Sequence, residues 1–357
     1  MSIIPEWAPN IHPIIVHFPI ALIFMAVLMD IVNLILPDKW WDDLKSTILY
    51  GTGTVAALIS YYTGTLAGDS VFLPSQAQSV LNSHADWAWW TIWFFSAYLV
   101  LRLIFHRFNV FDRSNIRIIT LLTVLPGLFM LYETGEHGAE MVFGYGVGTG
   151  QLIQEDQTRS QPNDSLNVEN ANSFTLEENG DWSWPIGPNA LSALLENFQW
   201  LEGSAQSLNP AVAKKGESHI LTFTGDSLNS FFTTENAYQN VQVDYYIDLS
   251  NFEGKVELVN HVEDVQNYDF LTLTSQGTIQ QGRVSEGNRT VFAEDTYSET
   301  GMLFVRVVAN GTHFRGYINK EMAVHGHGDA PQAGRVGISI EGSGTLLIDQ
   351  IELTQLM

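Results

Sequence analysis

Four long apolar stretches in the first half of the chain constrain its fold more than any other feature. Each contains 17 to 23 residues, close to the about 20 residues that an α-helix needs to cross a hydrocarbon core of about 30 Å. They predict a membrane domain, residues 1–150, with four transmembrane helices. The predicted helices span about residues 13–36, 46–67, 84–106 and 115–135.

The basic residues of this domain predict its orientation, because Lys and Arg remain preferentially on the cytoplasmic side. They lie between the first two stretches, or at and between the ends of the last two: Lys39, Lys45, Arg102, Arg107, Arg113 and Arg117. Both termini and the second half of the chain are therefore predicted to lie outside the cytoplasm.

The composition changes after residue 150. Residues 1–150 contain 6 Lys/Arg and 11 Asp/Glu, a net charge of −5, whereas residues 151–357 contain 10 and 28, a net charge of −18. Such an acidic surface disfavours nucleic acid as a partner. Residues 151–185 are polar and lack helical periodicity, so we predict a linker there.

Residues 186–357 consist of short segments in which apolar and polar residues alternate, separated by Gly, Asn and Asp. This pattern is typical of an antiparallel β-sandwich. The predicted fold class is therefore multi-domain, with a four-helix transmembrane bundle followed by an extracytoplasmic antiparallel β-sandwich.

The first half resembles a bacterial membrane family known as domain of unknown function 2231. The resemblance covers about residues 10–150 and rests on HPIIVHFPIAL, on Asp30 and His84, and on TGEHGAEMVFGYGVG. A histidine that this family often carries near its last glycines is replaced here by Tyr145. With the predicted orientation, the resemblance implies a multi-pass protein of the bacterial inner membrane, in contact with lipid, whose second domain is periplasmic.

The second half resembles laminin-G and concanavalin-like jelly rolls, as found in keto-disaccharide hydrolases and glycan-binding proteins. The motifs are NGTHFRGYINKEMAVHGHG and GRVGISIEGSGTLLIDQIEL. The resemblance implies a fold, and we expect a module that binds a glycan or a periplasmic protein rather than a catalyst. His325 and His327 alternate in a way that can bind metal, but the neighbouring glycines favour a turn or loop.

Four histidines are predicted to share the outer membrane face although they come from three helices: His12, His17, His84 and His137. In an ideal helix His12 and His17 lie about 140° apart, so each is expected to face a histidine of another helix. Ionisable groups at membrane depth usually have a function. Our leading hypothesis is a b-type haem held by these imidazoles, with glycines and tryptophans lining its pocket. The lining candidates are Gly64, Gly68, Trp87, Trp90, Gly135 and Gly138.

Two alternatives to haem remain open. One is an iron, copper or zinc ion held by the same histidines together with carboxylates, and the other is a purely structural role for the imidazoles. The candidate carboxylates are Asp86, Glu133, Glu136 and Glu140. Haem is favoured because the imidazoles outnumber the well-placed carboxylates. Since the chain has no cysteine, iron–sulfur clusters and c-type haem are excluded.

No catalytic residue is predicted. We expect electron transfer, or a role as an accessory subunit of a larger respiratory or photosynthetic complex with other membrane-protein subunits. The alternative is a structural protein whose helices anchor the periplasmic sandwich.

Two residues of the first predicted helix have local consequences. Pro19 lacks a backbone donor and clashes with the carbonyl group of Ile15, so a kink is predicted there. Asp30 lies near the cytoplasmic boundary of the helix, about 24 Å from Ile14 at helical rise. We expect it to hydrogen-bond with another helix rather than to relay protons.

Overall fold

The computed structural model describes residues 10–36, 41–112, 114–148, 174–216 and 218–356. The chain divides into two compact units, Met1–Glu155 and Asp156–Met357. Most of the predicted linker, residues 151–173, lies outside the described residues, as do Lys39 and Arg113.

The first unit is helical. Its helices are α1 (His12–Ile15), α2 (His17–Ile35), α3 (Asp43–Asp69), α4 (Ser75–Arg107), α5 (Ser114–Thr123) and α6 (Leu125–Tyr145). Among the described residues, three segments are long and apolar enough to cross a membrane: His12–Ile35, Ser75–Arg107 and Asn115–Tyr145. The membrane crossing of α3, which is 27 residues long, stays a prediction.

Two helices extend beyond the boundaries that hydrophobicity predicted. The helix α4 begins at Ser75 rather than near residue 84, and α6 continues to Tyr145 rather than ending near residue 135. Hydrophobicity marks the part of a helix that suits hydrocarbon, whereas the helical hydrogen bonds continue through the polar turns on either side. As a result, both His84 and His137 lie inside helices rather than at their ends.

The kink predicted in the first helix coincides with an interruption of that helix. The helix is interrupted at Val16, between α1 and α2, close to Ile15, whose carbonyl group the ring of Pro19 obstructs. A similar interruption at Val124 separates α5 from α6, whose first turn contains Pro126.

The second unit is an antiparallel β-sandwich. Its strands are β1 (Thr175–Leu176), β2 (Trp182–Pro185), β3 (Gln199–Glu202), β4 (Ala211–Lys215), β5 (Ser218–Tyr238), β6 (Val241–Asp264), β7 (Asn267–Thr274), β8 (Thr278–Ser285), β9 (Asn288–Thr296), β10 (Met302–Asn310), β11 (His313–Ile318), β12 (Glu321–His327) and β13 (Gly334–Gln355). One helix, α7 (Ala190–Asn197), lies between β2 and β3. The central order is β1-β2-β13-β6-β10-β11-β12, while β7, β8 and β9 extend from β6, and β3 and β4 pair with β5.

The long strands β5, β6 and β13 carry much of one apolar core. These strands remain continuous through irregular positions because glycines there adopt backbone conformations that other residues do not. Gly254 in β6 has a φ of 142°, and a Cβ atom there would lie 2.2 Å from the carbonyl oxygen of Glu341. Only glycine tolerates both that conformation and that approach.

The end of the predicted linker belongs to the sandwich. Residues 175–176 and 182–185 form β1 and β2, and β2 pairs with β13. Trp182 and Trp184 are 3% and 0% exposed and lie in the main core. The assignment of residues 174–185 to a linker was wrong because their polar composition concealed an alternation that places both tryptophans on one face.

Candidate functional site

Three histidines gather near one end of the helical unit, and we call them the histidine cluster: His12 of α1, His84 of α4 and His137 of α6. The ring centroids of His12 and His84 are 6.4 Å apart, and the ring planes are nearly perpendicular, at 80°. His84 is also close enough to His137 for the two rings to interact electrostatically. Helices that are distant in sequence thus bring three imidazoles together.

Hydrogen bonds orient two of these rings in the same way. The Nδ1 atom of His84 lies 2.8 Å from the carbonyl oxygen of Thr134, and Nδ1 of His137 lies 2.8 Å from the carbonyl oxygen of Glu133. Because a carbonyl oxygen only accepts hydrogen bonds, each Nδ1 must carry the proton. In the neutral rings, each Nε2 therefore keeps its lone pair.

The ring of His12 is held by a side chain of α3. Its Nδ1 atom lies 3.1 Å from the hydroxyl oxygen of Thr63, while that hydroxyl group donates to the carbonyl oxygen of Ser60 at 3.0 Å. With its proton engaged by Ser60, the Thr63 oxygen accepts from Nδ1 of His12. The Nε2 atom of neutral His12 is consequently the one with a lone pair.

Two glycines leave space for these rings. A Cβ atom on Gly64 would lie 2.9 Å from Cε1 of His12, and one on Gly138 would lie 3.1 Å from Cε1 of His84. Both glycines were predicted to line a pocket, and the structure places them directly against the imidazoles. A larger side chain at either position would displace its histidine.

The other predicted lining residues lie in different surroundings. A Cβ atom on Gly135 would meet no atom within 4 Å, whereas one on Gly68 would lie 3.8 Å from Leu81. Trp87 is half-buried against Phe129. Trp90 is 58% exposed, so it faces the surroundings of the helical unit.

The structure separates His17 from the histidine cluster. His17 is exposed on α2, and the candidate carboxylates Asp86 and Glu136 are also exposed, while Glu133 and Glu140 are half-buried. Among the described residues, one group of three or more His, Asp or Glu side chains has its donor atoms within 4.8 Å of one another, and it lies in the sandwich. In the described part of the helices, the histidines and carboxylates considered as a mixed nitrogen and oxygen ligand set do not form such a group.

A second polar group lies toward the other end of the helices. Arg102, which is 0% exposed, donates to both carboxylate oxygens of Asp30 at 2.6 and 3.1 Å. It also donates to Thr47 at 2.8 Å, and its guanidinium group lies 4.7 Å from the ring centroid of Tyr50. The prediction that Asp30 bonds to another helix is confirmed.

The sequence patterns did not identify Arg102 as a partner of Asp30, because Arg102 was counted only as an orientation signal. His106 belongs to the same polar group, since its Nε2 atom lies 2.8 Å from the hydroxyl oxygen of Thr47. The sequence feature that could have identified Arg102 was its position as a charged residue within an apolar stretch.

The alternating pair His325 and His327 lies on β12 rather than in a turn or loop. The neighbouring strand β11 begins with His313, which pairs with His327 in the register. These three residues form the group in the sandwich, and we call them the sheet histidines. His313 was missed because its spacing from the pair is meaningful only once the hairpin register is known.

Comparison with known proteins supports the two-part organisation. Residues 8–151 match the family described as "Predicted membrane protein (DUF2231)", which confirms the resemblance of the first half. The chain is thus a membrane protein that also carries an antiparallel β-sandwich domain. No curated protein matches the chain.

Solved structures similar to this chain include three bacterial proteins. The carbohydrate-binding module CBM66 from Bacillus subtilis is 15% identical, with a TM-score of 0.35, over 43% of this chain and 94% of that one. The β-glucanase of Bacillus licheniformis is 9% identical, with a TM-score of 0.37, over 50% and 100%. A Bacillus subtilis protein of unknown function with a galectin-like fold is 10% identical, with a TM-score of 0.36, over 46% and 91%.

Proposed function

We propose that the helical unit binds a b-type haem between His12 and His84 and serves in electron transfer at the bacterial inner membrane. The observation that carries this proposal is the pairing of two imidazoles from different helices, each with the lone pair on Nε2. Haem bound there takes up and releases one electron reversibly. The protein's part is to orient the two ligands, through Thr134 for His84 and through Thr63 for His12.

The separation of the two rings suits a shared iron, which both imidazoles would hold. A metal–imidazole bond is about 2.0–2.1 Å long, and the ring centre lies about 1.1 Å beyond the nitrogen. Two imidazoles that would hold one metal ion therefore have centroids no more than about 6 Å apart. The measured separation of 6.4 Å is close to this value.

The number of available ligands favours haem over a bare ion. A protein site for a transition metal usually needs about four donors, whereas a porphyrin supplies four nitrogens of its own. The pair His12 and His84 would hold such a group without further protein ligands. The open surface at Gly135, next to Thr134, offers room for the edge of a macrocycle.

The proposed orientation places the histidine cluster on the periplasmic side, with the sandwich. Among the described residues, Lys45 lies at the start of α3 and Arg102 and Arg107 at the end of α4. The cluster is formed by the opposite ends of these helices, near Thr63 and His84. This separation suits a protein whose basic residues face the cytoplasm and whose redox partners, as subunits of a larger complex, are reached from the outside.

The test is the reduced-minus-oxidised absorption spectrum of the protein purified from haem-replete cells. The wild type is expected to show a haem spectrum, and His12→Ala and His84→Ala are expected to lose it. His17→Ala is the matched control, because His17 is close to His12 in sequence but is exposed outside the cluster. A colourless, iron-free wild type, or a spectrum that survives both cluster substitutions, would exclude this function.

A cavity favours a second function, in which the sandwich binds a polar ligand such as a glycan. The cavity has a volume of about 540 Å³ and is lined by Arg283, Ser285, Thr290, Phe292, His327, Gly328 and Asp329. One aromatic ring together with hydrogen-bonding groups of both charges suits a small, hydroxyl-rich molecule. Such binding agrees with the alternative that the helices anchor an interaction domain.

Filling the cavity tests this second function. Thr290 is exposed at the cavity wall, so Thr290→Trp is expected to abolish glycan binding without affecting the fold. The measurement is calorimetric titration of the purified protein with a panel of oligosaccharides. Leu176→Trp is the control, because Leu176 is exposed in β1 away from the cavity wall. A panel without any ligand, or equal binding by both variants, would count against the cavity.

A further inference from the structure

The hairpin of β11 and β12 places the sheet histidines on one face. The register pairs His313 with His327 and Arg315 with His325, so His313 is the direct cross-strand neighbour of His327 and the diagonal neighbour of His325, while His325 and His327 are two residues apart on β12. The hairpin turns at Asn319 and Lys320, whose φ values of 50° and 71° are typical of a type I′ turn. A β-bulge at Ala323 shifts the register by one residue between the turn and the histidines, so the turn and the bulge together determine which imidazoles meet.

The three rings are evenly spaced. The centroid of His327 lies 4.7 Å from that of His313 and 4.8 Å from that of His325, and the other two centroids are 5.7 Å apart. One donor nitrogen from each ring lies within 4.8 Å of the other two. The Nδ1 atom of His313 and the Nε2 atom of His325 are 3.4 Å apart.

These distances match those around a tetrahedral ion. Ligand nitrogens that each lie about 2.0–2.1 Å from a tetrahedral zinc ion are about 3.3–3.4 Å apart, with ring centroids about 5 Å apart. A hydrogen bond from a ring N–H is usually about 2.7–3.2 Å long, so the separation of 3.4 Å fits shared ligation better than a direct bond. We propose that His313, His325 and His327 bind a divalent transition-metal ion of the zinc class, with water in the fourth position.

The ligand type determines the class of ion. Imidazole suits zinc, copper and nickel, whereas calcium and magnesium prefer oxygen ligands, and the sheet histidines supply nitrogen alone. His313 and His325 are half-buried and His327 is exposed, so solvent reaches the metal from one side. Three protein ligands with a position open to solvent are the arrangement of zinc sites that exchange ligands rather than of closed structural sites.

The charges around the site have opposing effects on the binding of a metal ion. Burial, with added repulsion from Arg315 and the other two histidines, lowers the pKa of His313 to about 3. The positive charge of Arg315 opposes a dication, while the net charge of −18 on residues 151–357 favours one.

The test is titration of the chelator-treated, full-length protein with Zn²⁺, against a chromophoric zinc chelator. The wild type is expected to bind one ion, and His313→Ala, His325→Ala and His327→Ala are each expected to lose affinity by at least about 10–100-fold. His219→Ala is the control in the same domain, because His219 lies on β5, away from the hairpin. Far-UV circular dichroism verifies that the variants remain folded.

Two further measurements distinguish this site from the histidine cluster of the helices. The ion is expected to bind equally well to His84→Ala, which removes the proposed haem ligand, and Co²⁺ in place of Zn²⁺ is expected to give the visible spectrum of tetrahedral coordination. Failure of haem binding would leave both results unchanged. The proposal is overturned if the wild type binds no Zn²⁺ at micromolar concentrations, or if all three substitutions leave the affinity unaltered.

Discussion

Replacing Arg102 with leucine is expected to destabilise the helical unit by about 3–5 kcal/mol, because it leaves the carboxylate of Asp30 without its partner in an apolar interior. Arg102 donates to both oxygens of that carboxylate, and also to Thr47 and to the hydroxyl group of Tyr98. Leucine retains part of the packing volume but none of these donors. The substitution therefore removes hydrogen bonds to Asp30, Thr47 and Tyr98, and water has little access to replace them.

The measurement is reversible unfolding of the purified protein in detergent micelles, followed by circular dichroism. Arg107→Leu is the control, because Arg107 is exposed at the end of α4, five positions after Arg102, and it is expected to change stability by less than about 0.5 kcal/mol. The double variant Asp30→Leu/Arg102→Leu is expected to recover much of the loss, because it buries no unpaired charge. A double variant as unstable as Arg102→Leu alone would show that the charge is not the cause.

The features predicted correctly from sequence are those governed by local physics. Apolar length identified the helical half, and the missing donor of Pro19 predicted the interruption near Ile15. Alternation and turn residues predicted the antiparallel sandwich. In each case the deciding interaction is between residues close in sequence, or between the chain and its solvent.

The features that sequence did not reveal depend on contacts between distant segments. The helical spacing separated His12 from His17, but only the packing of α1 against α3 and α4 shows that His12 faces inward. Arg102 and Asp30 are 72 positions apart, and His313 is 12 positions from His325. Composition likewise placed Trp184 in a linker, since β2 becomes a strand only by pairing with β13.

The pairing of β2 with β13 is the basis of the second prediction of a large change in stability. Trp184→Ala is expected to destabilise the sandwich by about 3–5 kcal/mol, the range for removing a buried aromatic side chain. Trp184 is 0% exposed, lies opposite Ile351 of β13, and its ring centroid is 4.9 Å from that of Phe198. The substitution opens a cavity between β2, β13 and the segment that follows α7, so the loss includes both burial and packing.

Proteolysis of the full-length protein in increasing urea measures this effect, because the sandwich becomes cleavable as it unfolds. Ser183→Ala is the control in the same strand: Ser183 is half-buried and alternates with the tryptophans, so a change within about 0.5 kcal/mol is expected. If residues 182–185 were part of a linker, both substitutions would leave the urea midpoint of the sandwich unchanged. A large effect of Trp184→Ala beside a small effect of Ser183→Ala requires instead that β2 is a core strand, because only a folded strand makes two adjacent side chains so unequal.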